Sequence, residues 1–346
     1  MNHEFYIKRC LEIASKGLGS TYPNPLVGAV LVHDNHIIGE GWHLSSGKPH
    51  AEVNAINNVK KKELIPYSTL YVSLEPCSHF GKTPPCSLLI IEKKIKKVVV
   101  GTLDNNPMVA GKGIEILQKN GIEVIVGICE NECKAINKRF FTFLDKKRPY
   151  VILKWAKSKD NYISPSSKND KSPYWISNYY SRVLSHKWRT EEQAILVGTN
   201  TVLDDNPILN SRLWKGNNPV RIVMDKNNVI QENFNIKNDF ADTIIFTQKV
   251  KENTKNISYI FFSDQDNLCE VILETLYKKG IQSVIIEGGS FTLQQFINQN
   301  LWDEARIFQG SSNLISGTIS PTISGKIISN QLIKNDQLTI LRNDKN

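Results

Sequence analysis

The chain has 346 residues, which is more than one hydrophobic core usually supports, so we expect two domains. Its composition is ordinary for a globular protein, with 40% hydrophobic residues, 22% charged residues and a mean hydropathy of −0.30. No apolar run is long enough to cross a bilayer, and the N-terminus lacks the features of a signal peptide. We therefore expect a cytoplasmic protein without a membrane partner.

The net charge of +9 raises the question of nucleic-acid binding, which many basic proteins show. Lys and Arg outnumber Asp and Glu by 19 to 14 in residues 1–147 and by 24 to 20 in the remainder. The excess is spread evenly, whereas a nucleic-acid interface needs a basic face interleaved with aromatic residues. A phosphorylated small molecule fits this mild charge equally well, and we predict no nucleic-acid partner.

Hydrophobic periodicity in the first half alternates between helix and strand, which is typical of α/β layering. The pattern predicts a sheet of about five strands with helices on its faces. In chain order it predicts a helix over 3–17, strands over 27–32 and 37–41, a helix over 50–59, a strand over 69–74, a helix over 87–94, a strand over 97–101, a helix over 113–119 and a strand over 123–128.

A charged stretch closed by proline, residues 145–149, predicts a domain boundary, which we place between residues 1–147 and 148–346. A second α/β series begins directly after it, and residues 165–172 are predicted as an exposed loop. This series consists of strands over 150–155, 194–198, 221–225, 243–246 and 283–287 and helices over 179–190, 269–279 and 292–300.

The most informative motif combines one histidine, two cysteines and a glutamate. Glu52 follows His50 by two residues, and Cys77 and Cys86 each follow a proline. Zinc deaminases carry the signature H-x-E…P-C-x-x-C, in which the glutamate moves protons and is not a ligand. Here eight residues, not two, separate the cysteines. We predict that His50, Cys77 and Cys86 bind Zn²⁺ and that Glu52 is the catalytic acid–base.

Three protein ligands leave one coordination position for water, whose pKa zinc lowers towards neutrality. His50 and Cys86 are predicted at helix N-termini, where the helix dipole favours negative charge. The alternative is a structural zinc site, which needs a fourth ligand that His79 could supply, but the position of Glu52 favours catalysis. The other cysteines are expected to be ordinary thiols in a chain without a disulfide framework: Cys10, Cys129, Cys133 and Cys269.

Three segments extend this motif: residues 21–28 (TYPNPLVG), 49–53 (PHAEV) and 74–86 (LEPCSHFGKTPPC). Together they closely resemble the bifunctional deaminase/reductase family of bacterial riboflavin biosynthesis, and the eight-residue cysteine spacing is that family's own pattern. The resemblance covers essentially the whole chain. It implies an α/β protein with a cytidine-deaminase-like three-layer domain followed by a dihydrofolate-reductase-like domain.

The resemblance also implies two consecutive reactions. The N-terminal domain would deaminate 2,5-diamino-6-(5-phosphoribosylamino)pyrimidin-4-one at the carbon that bears the 2-amino group. The C-terminal domain would use NADPH to reduce the ribosyl group to ribityl, giving 5-amino-6-(5-phosphoribitylamino)uracil. In the first domain, the residues implied to contact the substrate are Asn24, His43, His79, Lys82, Asp104 and Asn106. For His43 and Asn106, a role in a turn or cap is an equally open interpretation.

The second half carries a weaker signal of its own. It has no G-x-G-x-x-G after a strand, so a Rossmann-type dinucleotide site is not indicated. The segment Glu287-Gly288-Gly289-Ser290 lies between a predicted strand and a predicted helix, where backbone N–H groups can bind phosphate. Such turns also use glycine for geometry alone.

The family resemblance assigns further residues in this half. Substrate contacts are implied for Lys154, Arg189, Leu209, Arg212 and Glu287, and the arginines suit a phosphate group. NADPH contacts are implied for Lys157, Trp175, Thr201, Asp205, Gly289, Ser290, Phe291 and Thr292. Lys226 is predicted to contact the 2′-phosphate of NADPH from its position alone, directly after the predicted strand over 221–225. By residue type alone, Trp175 and Leu209 are more typical of core residues and Arg189 of a charge on a helix surface.

Two departures from the family pattern lie among these residues. Ser158-Lys159-Asp160-Asn161 stands where the family has Ser-Leu-Asp-Gly, and Pro173 replaces a common serine. Asn161 tolerates the left-handed conformation that glycine would adopt, so the turn can persist.

The open alternatives for the function of the chain are a deaminase whose reductase domain is inactive and a deaminase of nucleic-acid bases. We also expect a homo-oligomer.

Overall fold

The computed structural model describes residues 2–80, 84–105, 110–167 and 173–345. The chain divides into two compact units, residues 1–147 and residues 148–346, called here the first and second units. Across the described ranges, no helix is both long enough and apolar enough to span a membrane. The six cysteines all lie within these ranges and are free thiols.

A mixed sheet forms the centre of the first unit. Its strands are β1 (Gly28–His33), β2 (His36–Trp42), β3 (Thr69–Leu74), β4 (Lys97–Thr102) and β5 (Glu123–Val126). They lie in the order β2-β1-β3-β4-β5, with β1 antiparallel to both of its neighbours and β3, β4 and β5 parallel. Parallel strands end at the same edge of a sheet, so the residues that follow β3 and β4 lie near each other.

Helices cover both faces of this sheet and give the unit three layers. They are α1 (His3–Ala14), α2 (Ala51–Asn57), α3 (Cys86–Glu92), α4 (Lys112–Lys119), α5 (Glu130–Ile136) and α6 (Lys138–Lys146). Leu31 and Val98 pack with α2, α3 and α4, whereas their neighbours Val30 and Val99 pack with α1 and α5. This alternation follows from the two-residue period of a strand.

A larger sheet forms the centre of the second unit. The strands of this unit are β6 (Tyr150–Lys157), β7 (Tyr162–Pro165), β8 (Ala194–Gly198), β9 (Val220–Met224), β10 (Thr243–Thr247), β11 (Ile257–Phe261), β12 (Ser283–Ile286), β13 (Glu304–Gln309), β14 (Gly317–Ile319), β15 (Lys326–Ile333) and β16 (Asp336–Arg342). The main sheet has the order β11-β10-β9-β8-β12-β6-β13-β16-β15, parallel from β11 to β13, and β7 pairs with β14 separately.

Helices again pack on both faces of this sheet. They are α7 (Tyr179–Glu191), α8 (Thr199–Asp205), α9 (Leu268–Lys278) and α10 (Ser290–Asn298). Val284 and Ile286 of β12 share a core with α9 and α10, while Ile285 between them packs with Trp188 of α7. The predicted α/β class is confirmed for both units.

Several elements were not predicted from the sequence: β7, β11, β13 to β16, α5, α6 and α8. Strand β15 shows why, because it lies at the edge of the sheet and none of its residues is buried, so apolar and polar residues do not alternate. The predicted loop over 165–172 was wrong at its start, since Pro165 belongs to β7, which pairs with β14. Residues 168–172 lie outside the described residues.

Candidate active sites

In the first unit, the three residues predicted to bind zinc lie together. His50 directly precedes α2, Cys86 is the first residue of α3, and Cys77 follows the end of β3. The His50 Nδ1 atom is 3.5 Å from the Cys77 Sγ atom and 3.4 Å from the Cys86 Sγ atom. The backbone N–H of Cys86 also donates to Cys77 Sγ at 3.3 Å. The starts of two helices thus hold two of the three ligands.

These distances fit a tetrahedral zinc ion. Zn–N and Zn–S bonds of about 2.0 and 2.3 Å at a tetrahedral angle separate the nitrogen and sulfur atoms by about 3.5 Å. Among the described residues, this group contains three ligand atoms within 4.8 Å of one another and no fourth His, Cys, Asp or Glu. His79 is exposed and is not part of the group. The arrangement therefore fits a catalytic site with an open position better than a closed structural one.

Glu52 lies beside these ligands in the first turn of α2, and its side chain is buried. Burial raises the pKa of Glu52 to about 7, and the negative charge of Cys77 adds to the effect. The hydrogen bond from Cys86 lowers the pKa of Cys77 to about 4, with His50 contributing in the same direction. A carboxyl group that titrates near neutral pH can both accept and donate a proton.

Asn24 and His43 form a hydrogen-bonded pair close to the ligands. The His43 ring lies 5.5 Å from the His50 ring between centroids, and its Nδ1 atom is 3.1 Å from the Pro49 carbonyl oxygen. A carbonyl oxygen only accepts, so Nδ1 carries the proton and Nε2 accepts from Asn24 Nδ2 at 3.0 Å. Burial lowers the pKa of His43, and the hydrogen bond with Pro49 opposes this effect. His43 is thus fixed in one tautomer beside the ligand group.

In the second unit, a cavity of about 1450 Å³ lies at the carboxyl ends of the parallel strands, where ligands bind in open α/β sheets. Lys154 of β6 and Glu287, directly after β12, line it. The predicted cofactor residues that line it are Trp175, Thr201, Asp205, Lys226, Gly289, Ser290, Phe291 and Thr292. Lys157 is not among the lining residues, and its Nζ atom donates to Asn161 Oδ1 at 2.7 Å.

The start of α10 faces this cavity. A Cβ atom at Gly198 or Gly288 would lie within 2.6 or 2.7 Å of Thr292, so glycine at both positions lets the strand ends approach the first turn of α10. A Cβ atom at Gly289 would meet only Thr201 Oγ1, at 3.8 Å. Backbone N–H groups at such a helix start bind phosphate, and the size of the cavity suits a dinucleotide.

A buried charge network adjoins the same cavity. Arg189 of α7 donates to Glu287 from Nε at 3.4 Å and from Nη2 at 2.8 Å, and Lys154 Nζ lies 3.7 Å from the same carboxylate. Burial alone would raise the pKa of Glu287, but the charges of Arg189 and Lys154 hold it at about 2. Burial lowers the pKa of Lys154, and Glu287 opposes that effect. This network can hold a polar substrate beside the cavity.

Comparison with known proteins identifies the family. Residues 1–102 match the cytidine and deoxycytidylate deaminase zinc-binding region, and residues 149–335 match the RibD C-terminal domain. The riboflavin biosynthesis protein RibD of Aquifex aeolicus is 40% identical over 330 residues, covering 94% of this chain and 88% of the relative. The chain belongs to the RibD family. RibD of Bacillus amyloliquefaciens is 39% identical, covering 93% of this chain and 88% of the relative.

Solved structures agree with this assignment. A diaminohydroxyphosphoribosylaminopyrimidine deaminase/5-amino-6-(5-phosphoribosylamino)uracil reductase of Thermotoga maritima superposes with a TM-score of 0.89 at 38% identity, covering 99% of this chain and 98% of that one. RibD of Acinetobacter baumannii superposes with a TM-score of 0.85 at 29% identity, covering 98% of each chain. This RibD-family chain is a bifunctional deaminase and reductase of riboflavin biosynthesis, and the predicted resemblance and fold class are confirmed.

The structure describes only some of the remaining predicted substrate residues of this RibD-family chain. Asp104 is buried, and its backbone N–H donates to Glu75. Lys82 and Asn106 lie outside the described residues. Arg212 donates from Nη1 to Asn210 Oδ1 at 3.2 Å.

The side chain of Leu209 belongs to the hydrophobic core. It is 4% exposed and packs in a hydrophobic cluster with Ile195 and Val197, and its φ of +58° is unusual for leucine. Asn161 also adopts a left-handed conformation, with φ of +69°, and its N–H donates to the Ser158 carbonyl oxygen at 3.1 Å. The turn that the family builds with glycine therefore persists here, as predicted.

Sequence reasoning gave no role to Glu75, a buried carboxylate two residues before Cys77. Its oxygens accept N–H groups from Asp104 at 3.3 Å, Gly111 at 3.0 Å and Gly113 at 2.9 Å. Glu75 thereby connects the segment that carries Cys77, a predicted zinc ligand, to the segment after β4 and to the start of α4. The position of Glu75 between β3 and Cys77 could have indicated a supporting role in the site. Its hydrogen-bond partners could not be predicted, because they are distant in sequence.

His186 was also missed. It is 3% exposed on α7, and its Nδ1 atom has no hydrogen-bond partner among the described residues. Burial lowers the pKa of His186 to about 4, and the charges of Arg189 and Arg212 act in the same direction. A neutral imidazole therefore lies among the charged groups of the second site.

Proposed function

We propose that this chain deaminates 2,5-diamino-6-(5-phosphoribosylamino)pyrimidin-4-one and then reduces the product with NADPH to 5-amino-6-(5-phosphoribitylamino)uracil. The first reaction would take place in the first unit and the second in the second unit. The Thermotoga maritima relative carries both corresponding activities in its name. The observation that carries the proposal is the group of His50, Cys77 and Cys86 at zinc-binding distances with buried Glu52 beside it.

For the deamination, His50, Cys77 and Cys86 would hold the zinc ion, which supplies a water molecule of lowered pKa when bound. The Glu52 carboxylate would accept a proton from this water and pass it to the amino group that leaves as ammonia. The Asn24–His43 pair would orient the pyrimidine ring. Burial of Glu52 would keep bulk water away from the transferred proton.

For the reduction, NADPH would bind along the cavity of the second unit and supply a hydride to the ribosyl C1′ atom. The backbone N–H groups of Gly289 to Thr292 would bind its phosphate groups, with Trp175, Thr201 and Asp205 as further contacts. Glu287, Lys154 and Arg189 would orient the ribosyl group. Lys226 would bind the 2′-phosphate that distinguishes NADPH from NADH, although in the structure its Nζ atom pairs with Asp264 Oδ1 at 2.7 Å.

We further propose a cytoplasmic homo-oligomer. The six free thiols suit a reducing compartment. Strand β15 lies at one end of the sheet order and exposes Ile327, Ile328 and Leu332, which a second copy could cover. Light scattering on the zinc-loaded protein tests the oligomeric state, and a monomer at all concentrations would contradict it.

The experiment for the two reactions follows ammonia release and NADPH oxidation by the zinc-loaded full chain. Each of two proteins, the unaltered chain and the Glu52→Gln variant, receives either the diaminopyrimidine substrate or the deaminated product. We expect the unaltered chain to oxidise NADPH with both compounds and the variant to do so only with the deaminated one. The variant tests the deaminase alone, because its reductase unit is unchanged.

Other outcomes separate the alternatives. Ammonia release without NADPH oxidation on either compound would mean a deaminase with an inactive reductase unit. Neither ammonia nor oxidation would mean that the proposed substrate is wrong. Deamination of a single-stranded nucleic acid under the same conditions would then favour the nucleic-acid alternative, with binding that weakens steeply as salt rises.

A further inference from the structure

Asn24 of the first unit is carried by a short segment before β1. It stands between Pro23 and Pro25, neither of which has a backbone N–H, and β1 begins only at Gly28. The Asn24 Nδ2 atom donates to His43 Nε2 at 3.0 Å, so the place of Asn24 also orients the His43 ring. Whatever fixes this segment therefore decides where both side chains of the pair lie.

The segment is stiff next to Asn24. A proline fixes its own φ at about −65° and restricts the residue before it to extended conformations. Pro25 therefore restricts the backbone of Asn24, and it is the only residue between Asn24 and Leu26. A shift of the Leu26 backbone would be passed on to Asn24, because the residue between them can absorb little of it.

The backbone of Leu26 is held by one side chain that is distant in sequence. The Leu26 N–H donates to Asn137 Oδ1 at 2.7 Å, and Asn137 Nδ2 donates to the Leu26 carbonyl oxygen at 2.9 Å. The two residues are 111 positions apart, and Leu26 and Asn137 are only 6% and 2% exposed. A single amide group thus takes the place of a neighbouring strand, which would otherwise pair with both backbone groups.

Asn137 is itself fixed at the junction between α5 and α6. Its N–H donates to the Lys134 carbonyl oxygen at 3.1 Å, and its own carbonyl oxygen accepts from the Phe141 N–H at 3.0 Å. The backbone of Asn137 is therefore anchored in both helices. Loss of its side chain would leave two buried backbone groups of Leu26 unpaired, which is unfavourable, and the segment before β1 should then shift.

We propose that Asn137 is a positioning residue of the deaminase, which acts by holding Asn24 where it meets the pyrimidine ring. This inference rests on the proposed function, which assigns the Asn24–His43 pair to that ring. Asn137 lies outside residues 1–102, which match the zinc-binding region of deaminases. Its amide bonds go to Leu26 and not to a predicted zinc ligand, so we expect variants at Asn137 to keep their zinc.

The test is a double-mutant cycle on ammonia release from the diaminopyrimidine substrate by the zinc-loaded full chain. It compares the unaltered chain, Asn137→Ala, Asn24→Ala and the variant with both substitutions. We expect Asn137→Ala alone to lower kcat/KM about 10- to 100-fold, as for a misplaced substrate contact, and Asn24→Ala to lower it at least as much. Once Asn24 is absent, Asn137→Ala should lower kcat/KM less than about 2-fold further, because residues that act through each other are not additive.

A second variant covers the case in which Asn137→Ala does not fold. Asn137→Ser keeps a hydroxyl group that can pair with at most one of the two Leu26 backbone groups, so its loss of kcat/KM should be smaller. The same cycle with Asn137→Ser then decides. Zinc content reports that the first unit is folded, and NADPH oxidation with the deaminated compound reports the same for the second unit.

Asn120 provides the matched control. Its Nδ2 atom also donates to a backbone carbonyl oxygen, that of Ile116 at 2.9 Å, but Asn120 is exposed at the end of α4. Asn120→Ala should leave kcat/KM unchanged, both in the unaltered chain and in Asn24→Ala.

Three results would overturn the inference. Losses that multiply, so that Asn137→Ala lowers kcat/KM equally with and without Asn24, would mean that Asn137 supports the fold independently of Asn24. Full activity of Asn137→Ala would mean that the segment before β1 keeps its place without this side chain. Loss of zinc would assign Asn137 to the support of the metal site.

The proposed function can fail separately. If the unaltered chain releases no ammonia from the diaminopyrimidine, the proposed function fails and this inference fails with it. Any of the three results above, obtained with an active unaltered chain, overturns this inference alone.

Discussion

The two sites of this chain are assembled in different ways. The predicted zinc ligands lie within residues 50–86, and two of them stand at the starts of short helices. The second site draws Lys154 from β6, Arg189 from α7 and Glu287 from the end of β12, and Arg189 is 98 residues from its partner Glu287. One site is a compact group of donor atoms, and the other is a network of opposing charges.

This difference predicts different responses to substitution. Each predicted ligand would act directly on one zinc ion, so we expect the loss of one ligand to remove the chemistry and leave the rest of the unit in place. In the charge network, each group also sets the protonation state of its neighbours, so a change there affects stability and pH dependence as well as activity. Three predictions test this contrast, beginning with the largest expected effect.

Replacing Cys86 by serine should abolish the deaminase. With the metal site incomplete, the attacking water returns towards a pKa of about 15.7 instead of about 7, and we expect more than a ~10³-fold fall in ammonia release. NADPH oxidation with the deaminated compound should be unchanged, because the second unit is intact. Ammonia assays and zinc analysis by mass spectrometry measure both effects.

The matched control is Cys133→Ser, which alters another buried thiol of the first unit, one that lies outside the ligand group. This variant should keep its zinc and its deaminase activity. Full zinc content and full activity in Cys86→Ser would contradict the contrast between the two sites, because the first site would then not depend on each ligand.

The second unit should lose stability as the pH falls from 6.5 to about 4, because of His186. In the unfolded chain this side chain binds a proton near pH 6.5, whereas in the folded unit burial and the neighbouring cations Arg189, Arg212 and Lys154 lower its pKa to about 4, against the opposite effect of Glu287. The stabilising contribution of neutral His186 to the free energy of unfolding is complete above pH 6.5 and lost below about pH 4. The shift corresponds to about 3 kcal/mol of unfolding free energy.

Urea unfolding followed by tryptophan fluorescence measures this effect, since five of the six tryptophans lie in residues 148–346. His186 is also the only histidine in that range. The His186→Gln variant should therefore lose most of the change in the free energy of unfolding between pH 6.5 and 4. An identical slope in the variant would show that other groups control the acid sensitivity of the network.

Glu75→Gln should have a smaller effect on the first site. The glutamine amide would direct N–H groups at backbone N–H donors of Gly111 or Gly113, which disturbs the segment before Cys77. Groups that support metal ligands without touching the metal typically contribute about 10- to 100-fold to metal affinity or activity. The deaminase kcat and the zinc affinity, measured by competition with a chelator, give the result.

Glu63→Gln is the control for this variant, because Glu63 is an exposed carboxylate of the same unit. It should change neither kcat nor zinc affinity. If Glu75→Gln behaves like Glu63→Gln, the first site depends on its ligands alone and not on the hydrogen bonds behind them.

The family, the α/β class and the zinc motif were all readable from the sequence, because their signals are local. Strands such as β3 and β4 are continuous apolar segments, and the H-x-E and P-C patterns place chemical groups at short, fixed spacings. The roles of the individual site residues stay predictions. The edge strand β15 left no pattern, because exposure at the edge of a sheet relaxes the choice of residue.

By itself, the sequence determined which residues are available for each reaction and which short segments carry them. Only the tertiary structure decided how they are used: Glu75 accepts N–H groups 29 to 39 residues away, Arg189 is paired with Glu287, and the buried Nε of Arg182 has no partner among the described residues. The physical reason is that hydrogen bonds and ion pairs act through space over a few ångströms. Which charge is balanced and which is free depends on contacts that close only when the sheet has formed.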